Sequence, residues 1–202
     1  MPVFTPISPE ALRRTVADRL AARPGRLAVA VSGADAADPV RFAESVAQLL
    51  RDAGRPAAVV SLHDYVRPAS LRLEFGRDEY SYRTAWFDYA GLDREVLQAL
   101  RAHGRWLPAL WDEAADRSAR AAPRSAAADL IVFVAGPMLL GRGLGFDLTV
   151  ELRMSAAALR RIVVPDEEFT VEALLRHGHD QAEEPDLLVA WDHRDRPAMR
   201  AR

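Results

Sequence analysis

The stretch Leu27-Ala28-Val29-Ala30-Val31-Ser32-Gly33 decides the fold of this chain. A short apolar run that ends in glycine predicts a buried strand leading into a tight turn. After the turn, residues 39–53 carry apolar side chains at helical spacing, which predicts an amphipathic helix. A strand, a glycine turn and a helix in this order provide the context in which a phosphate-binding loop is found.

The loop itself departs from the phosphate-binding pattern, which is glycine, four residues, glycine, lysine, and serine or threonine. Gly33 supplies the first glycine, but the last three positions hold Asp38, Pro39 and Val40. Asp38 brings negative charge, Pro39 has neither an ammonium group nor a backbone N–H, and Val40 has no hydroxyl for Mg²⁺. The chain contains no lysine that could act instead. We therefore predict a degenerate phosphate loop in which Asp38 caps the helix and Pro39 begins it.

Composition narrows the class of protein. The 202 residues suffice for one α/β domain, and we expect a single domain over residues 1–202. A net charge of −2 gives no basic field, so we expect neither nucleic acid nor a membrane as partner. The chain has no cysteine, no cofactor motif and no secretory segment, so we expect a cytoplasmic protein with no cofactor and no metal. A homodimer is compatible with the sequence but not indicated by it.

The order of predicted elements indicates an α/β fold. Strands alternate with helices, which implies a parallel sheet covered on both faces, that is, a three-layer sandwich with five parallel strands. Residues 113–128 are rich in alanine, arginine and serine, and we interpret them as a surface loop or weak helix. The predicted strands are 27–32, 57–62, 129–135, 146–152 and 186–191, and the predicted helices are 9–22, 39–53, 92–103, 155–163 and 170–177.

Residues 63–88 are polar and aromatic and have no clear period. A long irregular loop in a compact domain is usually functional, and aromatic side chains with a few polar groups build small-molecule pockets. The alternative is that these aromatic side chains only pack the loop onto the sheet. The candidate substrate-binding residues are Tyr65, Arg67, Arg72, Tyr80, Tyr82, Trp86 and Asp88.

The order of segments resembles the uridine kinase-like family of P-loop nucleoside kinases, particularly its bacterial branch, with a degenerate Walker A loop. The resemblance implies a P-loop kinase-like fold, a substrate loop at about 63–90, a remnant lid at about 155–180, and a nucleoside-like small-molecule ligand whose ribose hydroxyls Asp88 would hold. The segments that carry the resemblance are 26–43, 61–68, 80–88, 131–140, 160–166 and 187–197.

Three further positions depart from the family pattern. His63 stands where the resemblance implies the aspartate base, Ala135 where it implies the acid that organises Mg²⁺, and Pro165 where it implies a lid arginine. Phosphoryl transfer depends on positioning and on cations around the γ-phosphate. Losing several of these groups together makes ATP- and Mg²⁺-dependent phosphotransfer improbable for this chain.

His63 and Asp64 are the candidate catalytic pair. They follow a predicted parallel strand, at the sheet edge where open α/β sheets bind ligands. A histidine beside a carboxylate can act as general acid or base near neutral pH. The alternative is a histidine bonded to a backbone carbonyl at the strand end.

Three functions are compatible with this sequence. The first, which we favour narrowly, is an ATP-independent enzyme that uses the retained pocket for acid–base chemistry on a small molecule. The second is a non-catalytic pseudokinase that binds a nucleoside-like ligand or a protein partner. The third is a weak ATP-dependent nucleoside kinase.

Overall fold

The computed structural model describes residues 4–201, and its centre is a seven-stranded sheet. Five strands are parallel to one another, as predicted, in the order β3-β8-β2-β9-β10. Two short strands, β1 (Thr5–Pro6) and β11 (Ala198–Ala201), extend the sheet antiparallel beyond β10. The parallel strands are β2 (Leu27–Gly33), β3 (Ala57–Ser61), β8 (Ile131–Gly136), β9 (Leu148–Arg153) and β10 (Leu187–Ala190).

Strand β2 lies in the middle of the parallel sheet. Val29 is in register with Phe133 of β8 on one side and with Leu148 of β9 on the other. All seven residues of β2 and all six of β8 are buried. This burial explains why both read as continuous apolar runs, since helices cover both faces of a parallel sheet.

The five predicted helices are present to within a few residues. The helices are α1 (Pro9–Ala21), α2 (Pro39–Asp52), α3 (Ala69–Arg72), α4 (Glu79–Thr84), α5 (Tyr89–Leu92), α6 (Ala99–His103), α7 (Ala156–Ile162) and α8 (Glu168–Asp180). The π-helical turn Asp93–Gln98 joins α5 and α6 into one continuous helix, which covers the predicted helix 92–103.

The core has two parts, one on each face of the sheet. On one face, apolar side chains of α1 and α2 such as Leu12 and Val46 pack on the sheet. On the other face, Leu97 and Leu100 of the long helix pack together with Tyr65 and Phe87. The result is the three-layer arrangement predicted from the sequence.

The start of α2 has the predicted cap. Asp38 adopts a left-handed backbone conformation (φ 57°, ψ 54°), and its Oδ1 accepts a hydrogen bond from the N–H of Arg41 at 3.4 Å. Pro39 is the first residue of the helix. Proline suits this position because its fixed φ is already helical and no N–H is required there.

Two predicted loops have more structure than expected. Residues 63–88 contain most of the 3₁₀ turn Leu62–Tyr65, α3 and α4, which are too short to show a period in the sequence. Residues 113–128 form no helix. They contribute strands to two small antiparallel ribbons, which pair β4 (Arg105–Trp106) with β7 (Arg124–Ser125) and β5 (Trp111–Asp112) with β6 (Arg117–Ser118).

Within residues 4–201, no helix has the length and apolar character needed to cross a membrane.

Candidate functional site

A cavity of about 550 Å³ lies above the carboxyl ends of β2 and β3. Its floor comes from the loop after β2, and the 3₁₀ turn after β3 contributes His63. Its far wall comes from the segment between α7 and α8 and from α8 itself, within the region predicted as a remnant lid. The side chains that matter for its chemistry are Asp35, His63, Arg72, Tyr82, Trp86 and Glu113.

His63 lies between two carboxylates. Its Nδ1 is 2.7 Å from Oε2 of Glu113, and its Nε2 is 3.0 Å from Oδ1 of Asp35. The turn that carries it is capped by Ser61, whose Oγ accepts a hydrogen bond from the His63 N–H. Both ring nitrogens therefore face acceptors, which requires the doubly protonated imidazolium.

The two carboxylates keep His63 charged. Burial alone would lower its pKa, but the hydrogen bonds and negative charges of Asp35 and Glu113 outweigh burial and raise the pKa to about 10. At neutral pH the ring is a cation with both N–H groups donated. A ring in this state can accept a proton only after it has lost one, so a general-base role for His63 would first require deprotonation.

Glu113 connects the cations of the site. Its Oε1 accepts from Arg72 at 2.6 Å and from Nε1 of Trp86 at 3.2 Å, while its Oε2 faces His63. Burial would raise the pKa of Glu113, but the hydrogen bond from His63 and the charges of His63 and Arg72 hold it below its usual range. The Arg72 guanidinium also lies 5.2 Å from the centre of the Trp86 ring. The network is thus nearly charge-balanced.

Asp35 brings a carboxylate from the degenerate loop into the cavity. Its Oδ2 accepts from the Tyr82 hydroxyl at 3.3 Å, and its side chain is 55% exposed. The loop closes on itself as a 3₁₀ turn over Asp35–Ala37, in which the N–H of Ala37 donates to Ala34 O and that of Asp38 to Asp35 O. Nε1 of Trp191 donates to Ala37 O.

Part of the backbone N–H supply of the loop after β2 is used within the loop. A phosphate loop directs free backbone N–H groups at the anion. Here the N–H groups of Ala37, Asp38 and Arg41 donate within the loop and its cap, and Pro39 has none. Within residues 4–201, no group of three or more histidine, aspartate or glutamate side chains is arranged to hold a metal ion.

The structure brings four of the predicted site residues together in the cavity: His63, Arg72, Tyr82 and Trp86. Asp64, the expected partner of His63, is not the residue that hydrogen-bonds it. Burial raises the pKa of the Asp64 carboxyl, which accepts a hydrogen bond from the Ser61 backbone. Adjacent residues in a 3₁₀ turn point in different directions, so His63 and Asp64 do not face each other.

The other predicted substrate-binding residues lie outside the cavity wall. Tyr65 is fully buried and donates its hydroxyl to Leu107 O. Asp88 caps α5 by accepting from the Gly91 N–H. The Arg67 N–H donates to Trp86 O, and Tyr80 is exposed on α4. Tyr65 and Asp88 therefore have structural roles in this conformation.

Sequence reasoning missed Asp35 and Glu113. Asp35 follows the predicted parallel strand 27–32, so its position at the ligand-binding edge of the sheet carried a usable signal. Glu113 had no such signal in the sequence, because it is 50 positions from His63 and the segment around it has no helical or strand pattern.

Comparison with solved structures identifies the fold. A possible uridine kinase from Bacillus stearothermophilus is 18% identical, with a TM-score of 0.63 over 83% of this chain and 88% of the other. A putative fructose transport system kinase from Silicibacter sp. TM1040 is 22% identical, with a TM-score of 0.65 over 90% and 98%. D-glycerate 3-kinase from Cryptococcus neoformans is 12% identical, with a TM-score of 0.64 over 89% and 94%.

No protein-family model matches the sequence, and no curated protein matches it significantly. The similarity is therefore one of architecture, and it extends over most of both chains in each comparison. The predicted fold is confirmed: this chain has the fold of the P-loop kinases.

Proposed function

We propose that this protein binds a neutral, hydroxyl-bearing small molecule in the His63 cavity and does not transfer phosphate from ATP. The observation that carries the proposal is the position of Asp35. A carboxylate from the former phosphate loop enters the cavity and pairs with His63. A triphosphate would meet this charge at close range, which costs free energy in a partly desolvated site.

The chemistry of the cavity wall favours a hydroxylated ligand. Asp35 offers acceptor lone pairs on a half-exposed carboxylate. Nε of Arg72 is a buried donor without a partner in the described part of the chain. A hydroxyl group both donates and accepts, so a polyol or sugar could satisfy both groups. Phe169 and Leu174 add apolar contacts on the opposite wall.

The charge balance of the cavity favours a neutral ligand. His63 and Arg72 are offset by Asp35 and Glu113. The names of the similar structures mention uridine, fructose and D-glycerate, of which the first two are neutral and carry several hydroxyls. Uridine and fructose are therefore the first probes, with D-glycerate as an anionic comparison.

Of the three functions compatible with the sequence, binding without turnover now ranks above acid–base catalysis by His63. A ring whose pKa is raised to about 10 and whose nitrogens are both bonded is a poor general base. An ATP-independent enzyme is the second candidate, and the observation that favours it is the half-exposed Asp35 carboxylate, which could serve as the base instead.

Calorimetric titration tests the proposal. We expect no saturable heat with ATP, with or without Mg²⁺, and saturable heat with uridine or fructose. Asp35→Asn should weaken that binding about tenfold, the effect of losing one charged hydrogen bond. Asp52→Asn, at the exposed end of α2, is the matched control and should leave it unchanged. Mg²⁺-dependent, micromolar ATP binding would overturn the proposal.

A turnover assay separates the two candidates. The ligand that binds is incubated with the protein, and its conversion is followed by mass spectrometry. Unchanged ligand supports binding alone, whereas conversion that Asp35→Asn abolishes supports the enzyme.

A further inference from the structure

A second cavity of about 320 Å³ lies beyond Ala34 and Leu174, two residues that line both cavities. The carboxyl ends of β2 and β9 and the segment after β8 surround it on one side, and α8 lies on the other. The apolar part of its wall includes Met138, Leu140, Leu152, Met154, Leu159 and Leu175, and its polar part includes Ser32, Glu151, Arg153, His177, His179 and Gln181.

One polar atom in this cavity lacks a partner. Oε1 of Gln181, a lining residue, is buried and accepts no hydrogen bond from the described part of the chain. A buried carbonyl oxygen that is left unpaired loses the hydrogen bond it makes to water in the unfolded chain. A ligand that donates one hydrogen bond would remove this cost.

The wall around Gln181 is held in place by hydrogen bonds between two segments. Nε2 of His177 faces Leu140 O at 2.8 Å, and the Gly141 N–H donates to Glu183 at 2.7 Å. The Gln181 N–H donates to His177 O. These contacts join the end of α8 to the segment after β8, so the cavity is formed before any ligand arrives.

The cavity offers no net charge to a ligand. Burial, together with the charge of Arg142, lowers the pKa of His177 to about 4, so its ring is neutral at pH 7. At the edge of the cavity, Glu151 and Arg153 pair with each other at 2.8 Å. A neutral ligand loses less hydration on entering this cavity than a charged one would.

We propose that this cavity is a second binding site, which takes a small neutral aromatic ring carrying one N–H or O–H donor. Its volume is at the lower end of small-molecule pockets, which favours a single ring system. Met138 and Met154 supply thioethers, which make favourable contacts with aromatic rings. Gln181 accepts the hydrogen bond. The site functions whether or not the His63 cavity is occupied.

Methyl NMR of the methionines tests this site directly, with indole as the probe. The chain has four methionines, of which Met138 and Met154 line the cavity and Met199 lies in β11. We expect indole to shift the Met138 and Met154 methyl signals saturably and to leave Met199 unchanged. Benzofuran has the same shape without the N–H, and it should bind about fivefold more weakly, the ratio that corresponds to one neutral hydrogen bond.

Two substitutions locate the binding. Gln181→Met keeps the length of the side chain without its oxygen, and it should make the indole and benzofuran affinities equal. Leu175→Trp fills the cavity and should abolish the indole shifts, whereas Leu71→Trp, at an exposed position, should not. The proposal is overturned if folded wild-type protein shows no saturable shift. It is equally overturned if the fivefold preference persists in Gln181→Met.

Discussion

Nε2 of His63 lies 3.0 Å from Oδ1 of Asp35, so an ion pair joins the turn after β3 to the loop after β2. In a P-loop kinase fold, that loop would present N–H groups to a phosphate. Here it presents a carboxylate to a histidine. The pair ties the loop after β2 to the turn after β3 and defines the candidate site.

The His63 ion pairs should make stability depend on pH. The folded pKa is about 10, above the ordinary value of 6.5. The charged ring therefore stabilises the fold fully below about pH 6.5, and this stabilisation is lost as the pH rises through the folded value. Denaturant unfolding should show His63→Gln to be about 1–2 kcal/mol less stable than wild type near pH 6, since partial exposure screens the pairs.

That difference between wild type and His63→Gln should shrink as the pH approaches 10. The control is Leu71→Ala, at an exposed position without a titratable group, whose difference from wild type should not vary in this way. If the stability difference between wild type and His63→Gln grew between pH 6 and pH 10, His63 would not be the charged partner of Asp35 and Glu113.

Removing the charge of Glu113 should destabilise the protein strongly. The Arg72 side chain is only 9% exposed and depends on Glu113 at 2.6 Å, with Asp116 farther away at 3.8 Å. Glu113→Gln leaves a buried guanidinium largely uncompensated, so we expect a loss of about 3 kcal/mol in unfolding free energy. Glu172→Gln, which breaks an exposed pair with Arg160, should cost less than about 1 kcal/mol. Equal losses in the two variants would refute this account of the network.

Arg55 should not tolerate lysine. Its guanidinium donates to the carbonyls of Leu20, Arg23 and Gly25, and also to Asp129 O. These bonds join the end of α1 to the segments that lead into β2 and β8. A lysine ammonium is a single donor group, whereas the planar guanidinium of arginine has three nitrogens that donate. Arg55→Lys should therefore lower the unfolding free energy by about 1–3 kcal/mol.

The control for Arg55 is Arg14→Lys, since Arg14 is exposed and pairs with Glu10 on the same helix. Thermal unfolding should place this variant within about 0.5 kcal/mol of wild type. If Arg55→Lys lost no more unfolding free energy than Arg14→Lys, the contacts of Arg55 with the backbone carbonyls would contribute nothing measurable to stability.

Gly136 should be required by packing beneath the site. A Cβ at this position would lie 2.5 Å from Cβ of Leu62, a fully buried residue that immediately precedes His63. Gly136→Ala should therefore cost about 1–3 kcal/mol and shift the His63 ring signals in NMR spectra.

Gly178 offers the opposite case, because a Cβ there meets nothing within 4 Å and the residue lies in α8. Gly178→Ala should stabilise the protein by about 0.5–1 kcal/mol through helix propensity.

The prediction for Gly136 has its own contradicting outcome. A stable Gly136→Ala variant with an unchanged His63 signal would show that Leu62 can move aside.

Local patterns predicted most of the fold. Strand β2 was expected over 27–32 and spans Leu27–Gly33, and the following helix was expected over 39–53 and spans Pro39–Asp52. Apolar periodicity and an Asp-Pro cap act over a few residues, so they can be read from sequence alone. The edge strand β11 was not predicted, because its residues 198–201 become a strand only by pairing with β10 and β1.

The sequence by itself determined the α/β class and the parallel strands. Only the tertiary structure decided the partners of His63. Asp64 is its neighbour along the chain, yet Asp35 and Glu113, at separations of 28 and 50 residues, hold its ring. Contacts of this kind depend on how strands and ribbons pack against one another, and side-chain directions at the ends of elements have no periodic signal in the sequence. The same packing buries Tyr65 and places Asp88 where it caps a helix. Arg72, Tyr82 and Trp86 line the cavity.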